Sequence, residues 1–237
     1  MLFYYIRHGE PIYEPDMLTE HGHVQAEAVK ERLKNSGLSK IYSSTSVRAR
    51  QTAEPTCKAL GIEPVLLQFA HEYLCWVELT LLNEDKIGRR WLFEHQEACE
   101  LFCSREIREL GDRWYEHPYF EGYDFKGAIE RIYRESDAFF ASLGYEHDRY
   151  TGKYVIKEKN DDRIALFAHQ GFGLAFLSCV LDIPYPQFCT HFDMCHTGVT
   201  VIDFSDNGNG ICIPKVLTLS SDSHLYAKGM ESNYGLI

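Results

Sequence analysis

Arg7-His8-Gly9-Glu10 follows directly on the apolar run Leu2–Ile6, the first place in this chain where side chains could do chemistry. A neutral imidazole nitrogen is a nucleophile, and a guanidinium grips a tetrahedral oxyanion through two parallel N–H groups. A glycine lets the backbone turn close to a bound group. Two more cation-capable residues stand in comparable places: Arg48 in the first turn of a helix after a short strand, and His169 at the end of a later apolar strand, just before Gly171. Ligands of doubly wound sheets bind at the carboxyl ends of strands, so three strand ends each deliver a group suited to a phosphoryl anion. The chemistry this set supports is attack by His8 on phosphorus, with hydrolysis of the resulting phosphohistidine by water. Arg7, Arg48 and His169 would hold the equatorial oxygens, and Gly9 and Glu10 count with them as substrate-binding. An alkoxide leaving group also needs a proton. A carboxylic acid with a raised pKa is the natural donor, and Glu72, after the third strand, is assigned that part, with Glu78 as its rival.

These residues need a scaffold, and the chain spells one. Leu2–Ile6 reads as a buried parallel strand. Thr19 is placed to cap a helix running to about Asn35, with Ala26, Val29 and Leu33 as its apolar stripe and Gly37 at its end. Lys40–Tyr42 is a second strand, and Ser43-Ser44-Thr45-Ser46 suits the cap of a helix that carries Arg48 and ends near Gly61, with Pro55 expected to kink or shorten it. Val65–Leu67 is a third strand, and this alternation predicts a parallel sheet with crossover helices. From Tyr73 to about Asn160 the alternation stops. That segment is read as a largely helical insertion (73–160) within a single domain spanning 1–237, with helices over Ile87–Phe102, Arg105–Tyr115 and Ala128–Leu143. It carries Arg89 and Arg90, which are placed to grip a second acidic group on a substrate. Arg163–Ala168 and Gly171–Leu181 resume the pattern, and Asn207-Gly208 between Val199–Phe204 and Ile211–Val216 signals a hairpin.

Composition narrows the partners. A net charge of −11 speaks against nucleic acid and anionic membranes, which are bound through clustered Lys and Arg. The apolar run behind Met1 is too short for a signal-peptide core or a membrane span. Eight cysteines without a CxxC pair point to reduced thiols and a cytoplasmic protein. His21/His23, Cys99/Cys103 and Cys195/His196 are the competing metal pairs, and none supplies four ligands at zinc-like spacing. The expected partner is a small phosphorylated metabolite, with no cofactor and no metal, and a homodimer is the default assembly.

The motifs resemble a known family. Leu2–Glu10 with its Arg-His-Gly-Glu is similar to the opening of the histidine phosphatase (phosphoglycerate mutase-like) superfamily. Leu18-Thr19, Gly22 and Gln25-Ala26 resemble its first helix, Ser43-Ser44 followed by Arg48-Ala49-Arg50-Gln51-Thr52-Ala53 its second signature, and His169 its second catalytic histidine. His224-Leu225 is similar to a pair near the end of many members. The resemblance covers residues 1–72 and 160–225. It implies a three-layer α/β/α sandwich with a mostly parallel sheet, His8 as nucleophile, Arg7, Arg48 and His169 as phosphate ligands, and no metal. Pro11–Asp16 departs from the family by offering neither the Thr or Ser nor the Asn that follows this motif in many members, Gln170 stands where Gly is usual, and no Gly-x-x-Glu-Gly follows Glu72. A phosphatase is the first reading. A phosphomutase and an inactive phospho-ligand or partner-binding module are the alternatives.

Overall fold

The computed structural model describes residues 1–83 and 87–231. Six strands form the main sheet. In chain order its elements are β1 (Leu2–Arg7), α1 (Glu20–Leu33), β2 (Lys40–Ser44), α2 (Val47–Leu60), β3 (Val65–Leu67), α3 (Glu72–Glu78), α4 (Phe125–Ser142), β4 (Arg163–Ala168), α5 (Gln170–Leu181), β5 (Val199–Asp203) and β6 (Lys215–Ser221). The strand order is β6-β5-β1-β4-β2-β3. β1, β4, β2 and β3 run parallel, β5 runs antiparallel to β1, and β6, antiparallel to β5, regains the direction of β1.

The alternation inside β1 shows why the sheet is covered on both sides. Tyr4 and Ile6 point into a core shared with Val29 and Leu33 of α1 and Ala53 and Cys57 of α2. Phe3 and Tyr5 point the other way, into a core with Phe139 and Phe140 of α4 and Phe172 and Phe176 of α5. A strand apolar on both faces can only be satisfied by a helix layer on each, and the result is the three-layer sandwich.

Several local expectations are corrected. Pro55 does not shorten α2, which runs unbroken to its left-handed Gly61 cap (φ 65°). The proline costs one N–H bond, while a continuous buried face from Ala49 to Cys57 holds the helix against its neighbours. The helix expected from Ile87 does not form there: Arg89–Trp91 is a strand paired with Thr80–Leu82, and helix appears only at Gln96–Phe102. The helix from Arg105 ends at Leu110 and continues as 3-10 turns over Gly111–Glu116. Ile211–Cys212 does not pair with Val199–Asp203 across the Asn207-Gly208 turn. It pairs with Lys153–Ile156, and the partner of β5 is β6. Helices carry most of 73–160, together with the hairpin at 80–91 and a second one of Tyr145–Asp148 and Lys153–Ile156. α4 covers the sheet itself, with Phe140 and Phe3 rings 5.3 Å apart.

Candidate active site

Strand register builds the site. The parallel pairing of β1 with β4 sets Arg7 opposite Ala168, and His8 N extends the ladder to the Ala168 carbonyl at 2.9 Å. The next residue on each strand is a histidine, so the His8 and His169 rings meet edge to face with centroids 5.2 Å apart. On the far side of β4, Phe167 pairs with Ser43, and Ser44 Oγ therefore lies 2.8 Å from His169 Nε2. Ser46, which caps α2, reaches the same nitrogen at 3.3 Å. Tyr5 fixes the backbone there by donating its hydroxyl to the His169 carbonyl at 2.6 Å.

His8 is buried, with Nδ1 2.7 Å from the Gly9 carbonyl oxygen. A carbonyl can only accept, so Nδ1 carries the proton and Nε2 keeps its lone pair. Arg48 Nε donates to that Nε2 at 3.2 Å. Burial, then His169, Arg7 and Arg48, hold the ring well below the ordinary imidazole range, which keeps it neutral near pH 7. Gly9 is required by close approach: a Cβ there would come within 2.7 Å of the Gly22 carbonyl oxygen. The turn is pinned from below by Gly9 N donating to Thr52 Oγ1 at 3.0 Å.

Arg7 is also buried. NH1 donates to the Met194 carbonyl at 2.5 Å, and NH2 lies 3.0 Å from His196 Nε2. Its Nε has no hydrogen-bond partner among the described residues. A guanidinium only donates, so His196 accepts through a neutral ring. Burial and the adjacent Arg7 push that ring down to about 3. Arg48 is held by Asp16, whose Oδ1 lies 2.7 Å from NH1, and by Glu72, whose Oε2 lies 3.7 Å from NH2.

Glu72 opens α3, and its carboxylate enters the same pocket. Oε1 accepts from Phe172 N at 3.1 Å at the start of α5. Oε2 lies 3.0 Å from His169 Nδ1, at an angle short of a hydrogen bond. Gly171 makes the approach possible, since a Cβ there would meet Trp91 and come within 2.8 Å of Glu72 Oε1. The raised pKa expected of this carboxyl is not found. Burial pushes it up, but His169, Arg48 and the Phe172 amide together outweigh burial and hold it below the usual carboxylate range. Glu78 is turned away and bound by Arg131, with Nε to Oε1 at 2.9 Å.

The remaining sequence-derived residues lie outside this cluster. Glu10 Oε1 accepts from Thr19 Oγ1 at 2.9 Å and so braces the turn into α1. Arg89 donates to Thr80 Oγ1 at 2.6 Å and to the Thr80 carbonyl at 3.0 Å. Arg90 is exposed and its side chain forms no hydrogen bond or ion pair among the described residues, although its charge reaches Glu94. Asp16 and the two serines on His169 were not singled out for the site from sequence, because no periodicity or spacing marks them. His196 was weighed only as a metal ligand beside Cys195.

His8, Glu72 and His169 bring one ligand atom each within 4.8 Å of one another, which is a spacing a metal ion could use. Arg48, however, lies against two of the three residues, His8 and Glu72. A divalent cation would sit beside a guanidinium, so the arrangement suits an anion far better. No helix among the described residues is long and apolar enough to cross a membrane.

Residues 3–102 match the family model described as histidine phosphatase superfamily, branch 1. A search of curated protein sequences returns no match. Solved structures share the fold. A mycobacterial glucosyl-3-phosphoglycerate phosphatase is similar at TM-score 0.60 and 18% identity, over 93% of this chain and 99% of its own. A mutant phosphoserine phosphatase of Entamoeba histolytica, in complex with phosphoserine, gives 0.59 and 19%, over 94% and 98%. The alpha-ribazole phosphatase of Shigella flexneri gives 0.56 and 18%, over 93% and 96%. Identities this low carry the fold alone, and the sequence match spans the strand that bears His8. Residues 3–102 are thus similar in sequence to the histidine phosphatase superfamily, and the described chain shares the fold of these phosphatases.

Proposed function

We propose that this protein is a phosphatase that hydrolyses a small-molecule phosphate monoester through a phosphohistidine on His8. The observation that carries the reading is the state of two buried groups: a neutral His8 with its Nε2 lone pair turned into the pocket, and an Arg7 Nε left without a partner beside it. A buried unpaired guanidinium donor is costly unless an anion completes it.

Nε2 attacks phosphorus and the P–O bond to the leaving group breaks, with Arg7, Arg48 and His169 holding the equatorial oxygens. The leaving oxygen takes a proton from Glu72. That carboxyl is ionised in the free protein, but a phosphoryl dianion set against Arg48 and His169 competes for both and raises its pKa. Water then attacks the phosphohistidine and gives a proton back to Glu72, and the P–N bond breaks to release phosphate and neutral His8. The partner is a phosphorylated metabolite of the size that the related phosphatases bind, such as the phosphoserine of the Entamoeba structure. Segment 73–160, which supplies Glu72's neighbours Trp76 and Trp91, acts as the lid that selects the leaving group. The enzyme works without a metal, in the cytoplasm.

Incubation with a labelled phosphate ester and rapid quenching should trap phosphoprotein that is stable in base and labile in acid, and the label should vanish in His8→Ala. Steady turnover of p-nitrophenyl phosphate with no such intermediate would refute the mechanism.

A further inference from the structure

Arg48 is gripped from outside the pocket by the turn that follows β1. Between the short strands Pro11–Ile12 and Met17–Leu18, Asp16 places one oxygen 2.7 Å from Arg48 NH1 and the other 2.7 Å from Val47 N, the first residue of α2. The Tyr13 ring lies 5.4 Å from the Arg48 guanidinium carbon. Leu18 N, donating to Gln51 Oε1 at 2.8 Å, ties the same hairpin to α2. Arg48 in turn donates to His8 Nε2, so Asp16 acts one residue removed from the nucleophile.

Asp16 also changes the charge of the pocket. His8, His169 and His196 are all depressed and neutral at working pH, chiefly by burial. The two guanidiniums of Arg7 and Arg48 therefore face the two carboxylates of Asp16 and Glu72, and the cluster is balanced before any anion enters. Glu94 and Asp193 add negative charge within electrostatic reach of Arg7, and Arg90 lies within reach of Glu94. A phosphoryl dianion entering a balanced, buried site leaves it strongly negative, and uptake of one proton relieves that. We propose that Asp16 is a positioning residue that fixes Arg48 against His8 and, by its charge, makes the pocket bind its phosphoryl anion together with a proton. The proposal rests on the phosphatase reading, and it goes further: the proton taken up is the one Glu72 passes to the leaving group, so Asp16 loads the acid from a distance.

The test measures inorganic phosphate binding to the full-length chain by calorimetry from pH 5.5 to 8.5, in buffers of different ionisation enthalpy. Wild type should take up a proton on binding, and its affinity should approach a fall of about tenfold per pH unit above the second pKa of inorganic phosphate, about 7. Asp16→Asn keeps an oxygen for Arg48 but removes the charge. Its proton uptake should shrink and its affinity at pH 8 should rise about tenfold. Asp16→Ala frees Arg48 and should lower kcat on p-nitrophenyl phosphate about ten- to a hundredfold. An Asp16→Asn titration that superimposes on wild type, or an Asp16→Ala enzyme with wild-type kcat, overturns the proposal while leaving the phosphatase reading intact. Wild type that binds no phosphate overturns both. Melting curves establish that each variant is folded, and should Asp16→Ala fail to fold, the Asp16→Asn titration decides.

Discussion

His8 and His147 are both buried imidazoles within reach of arginines, and their pKa values move in opposite directions. His147 lies with Nδ1 3.1 Å from Asp137 and Nε2 2.7 Å from Asp182, its ring stacked on Tyr154 at 4.0 Å. Arg149 closes the circuit by bonding the same two aspartates and the Cys179 carbonyl, beneath the Tyr133 ring. Burial lowers the His147 pKa, but the two carboxylates outweigh it and raise the ring above its ordinary value. At His8 a carbonyl takes one nitrogen, a guanidinium faces the other, and the nearest carboxylate is spent on His169 and Arg48. One cluster satisfies every charge internally and ties α4 to the strand at 145–148 and the end of α5. The other holds the His8 lone pair by a single guanidinium N–H and, among the described residues, leaves the Arg7 Nε donor without a partner, which is the cost of keeping chemistry available.

The largest effect that would sharpen this contrast is on turnover. His8→Ala should lose about four orders of magnitude or more in kcat with an unchanged fold, whereas His147→Gln should keep its activity. Equal losses in steady-state assays would erase the distinction. Glu72→Gln comes next: it should slow alkyl phosphates by about 10²–10⁴ and p-nitrophenyl phosphate by much less, since that leaving group needs no proton. An equal loss on both substrates would take the acid role from Glu72.

A smaller effect is expected on stability, and its sign differs between the two regions. A histidine whose pKa is raised on folding stabilises fully below its unfolded value of about 6.5, and that contribution disappears as pH rises through the folded value. His147→Gln should therefore cost about 1–3 kcal/mol near pH 6, discounted for the partly exposed aspartates, and less near pH 9. His8 is depressed, so it destabilises the fold as pH drops below about 6.5, and His8→Ala should gain on wild type on the acid side. Denaturant titrations at both pH values check each sign. The smallest effects belong to the hairpin at 80–91. Arg89→Ala should cost at most about 1 kcal/mol for its lost carbonyl contacts, and Arg90→Ala should cost nothing measurable. Neither should change KM, and a tenfold change in either would return that residue to the substrate.

Legibility followed the range of the interactions. β1, the Thr19 cap of α1 and the burial of Ala26, Val29 and Leu33 could be read from sequence, because they depend on neighbours within a few residues. Pro55 and the stretch Ile87–Arg90 depart from their local preference because packing outweighs it. A buried face keeps a helix going through a proline, and pairing with Thr80–Leu82 draws a helix-like stretch into a strand. The Asn207-Gly208 turn was found, but not which strand its far arm would join.

By itself the sequence determined the chemical inventory, two arginines, two histidines and a glutamate at element ends, and the strand-and-helix alternation that carries them. Only the tertiary structure decided how those groups meet. The register of β1 on β4 sets two histidines 161 residues apart side by side. Distant chain segments then bring Asp16 to Arg48, His196 to Arg7 and two serines to His169. Residue type fixes which protons and charges a side chain can offer. The pKa and direction of each depend on burial and on partners remote in the chain, and those exist only once the layers have closed.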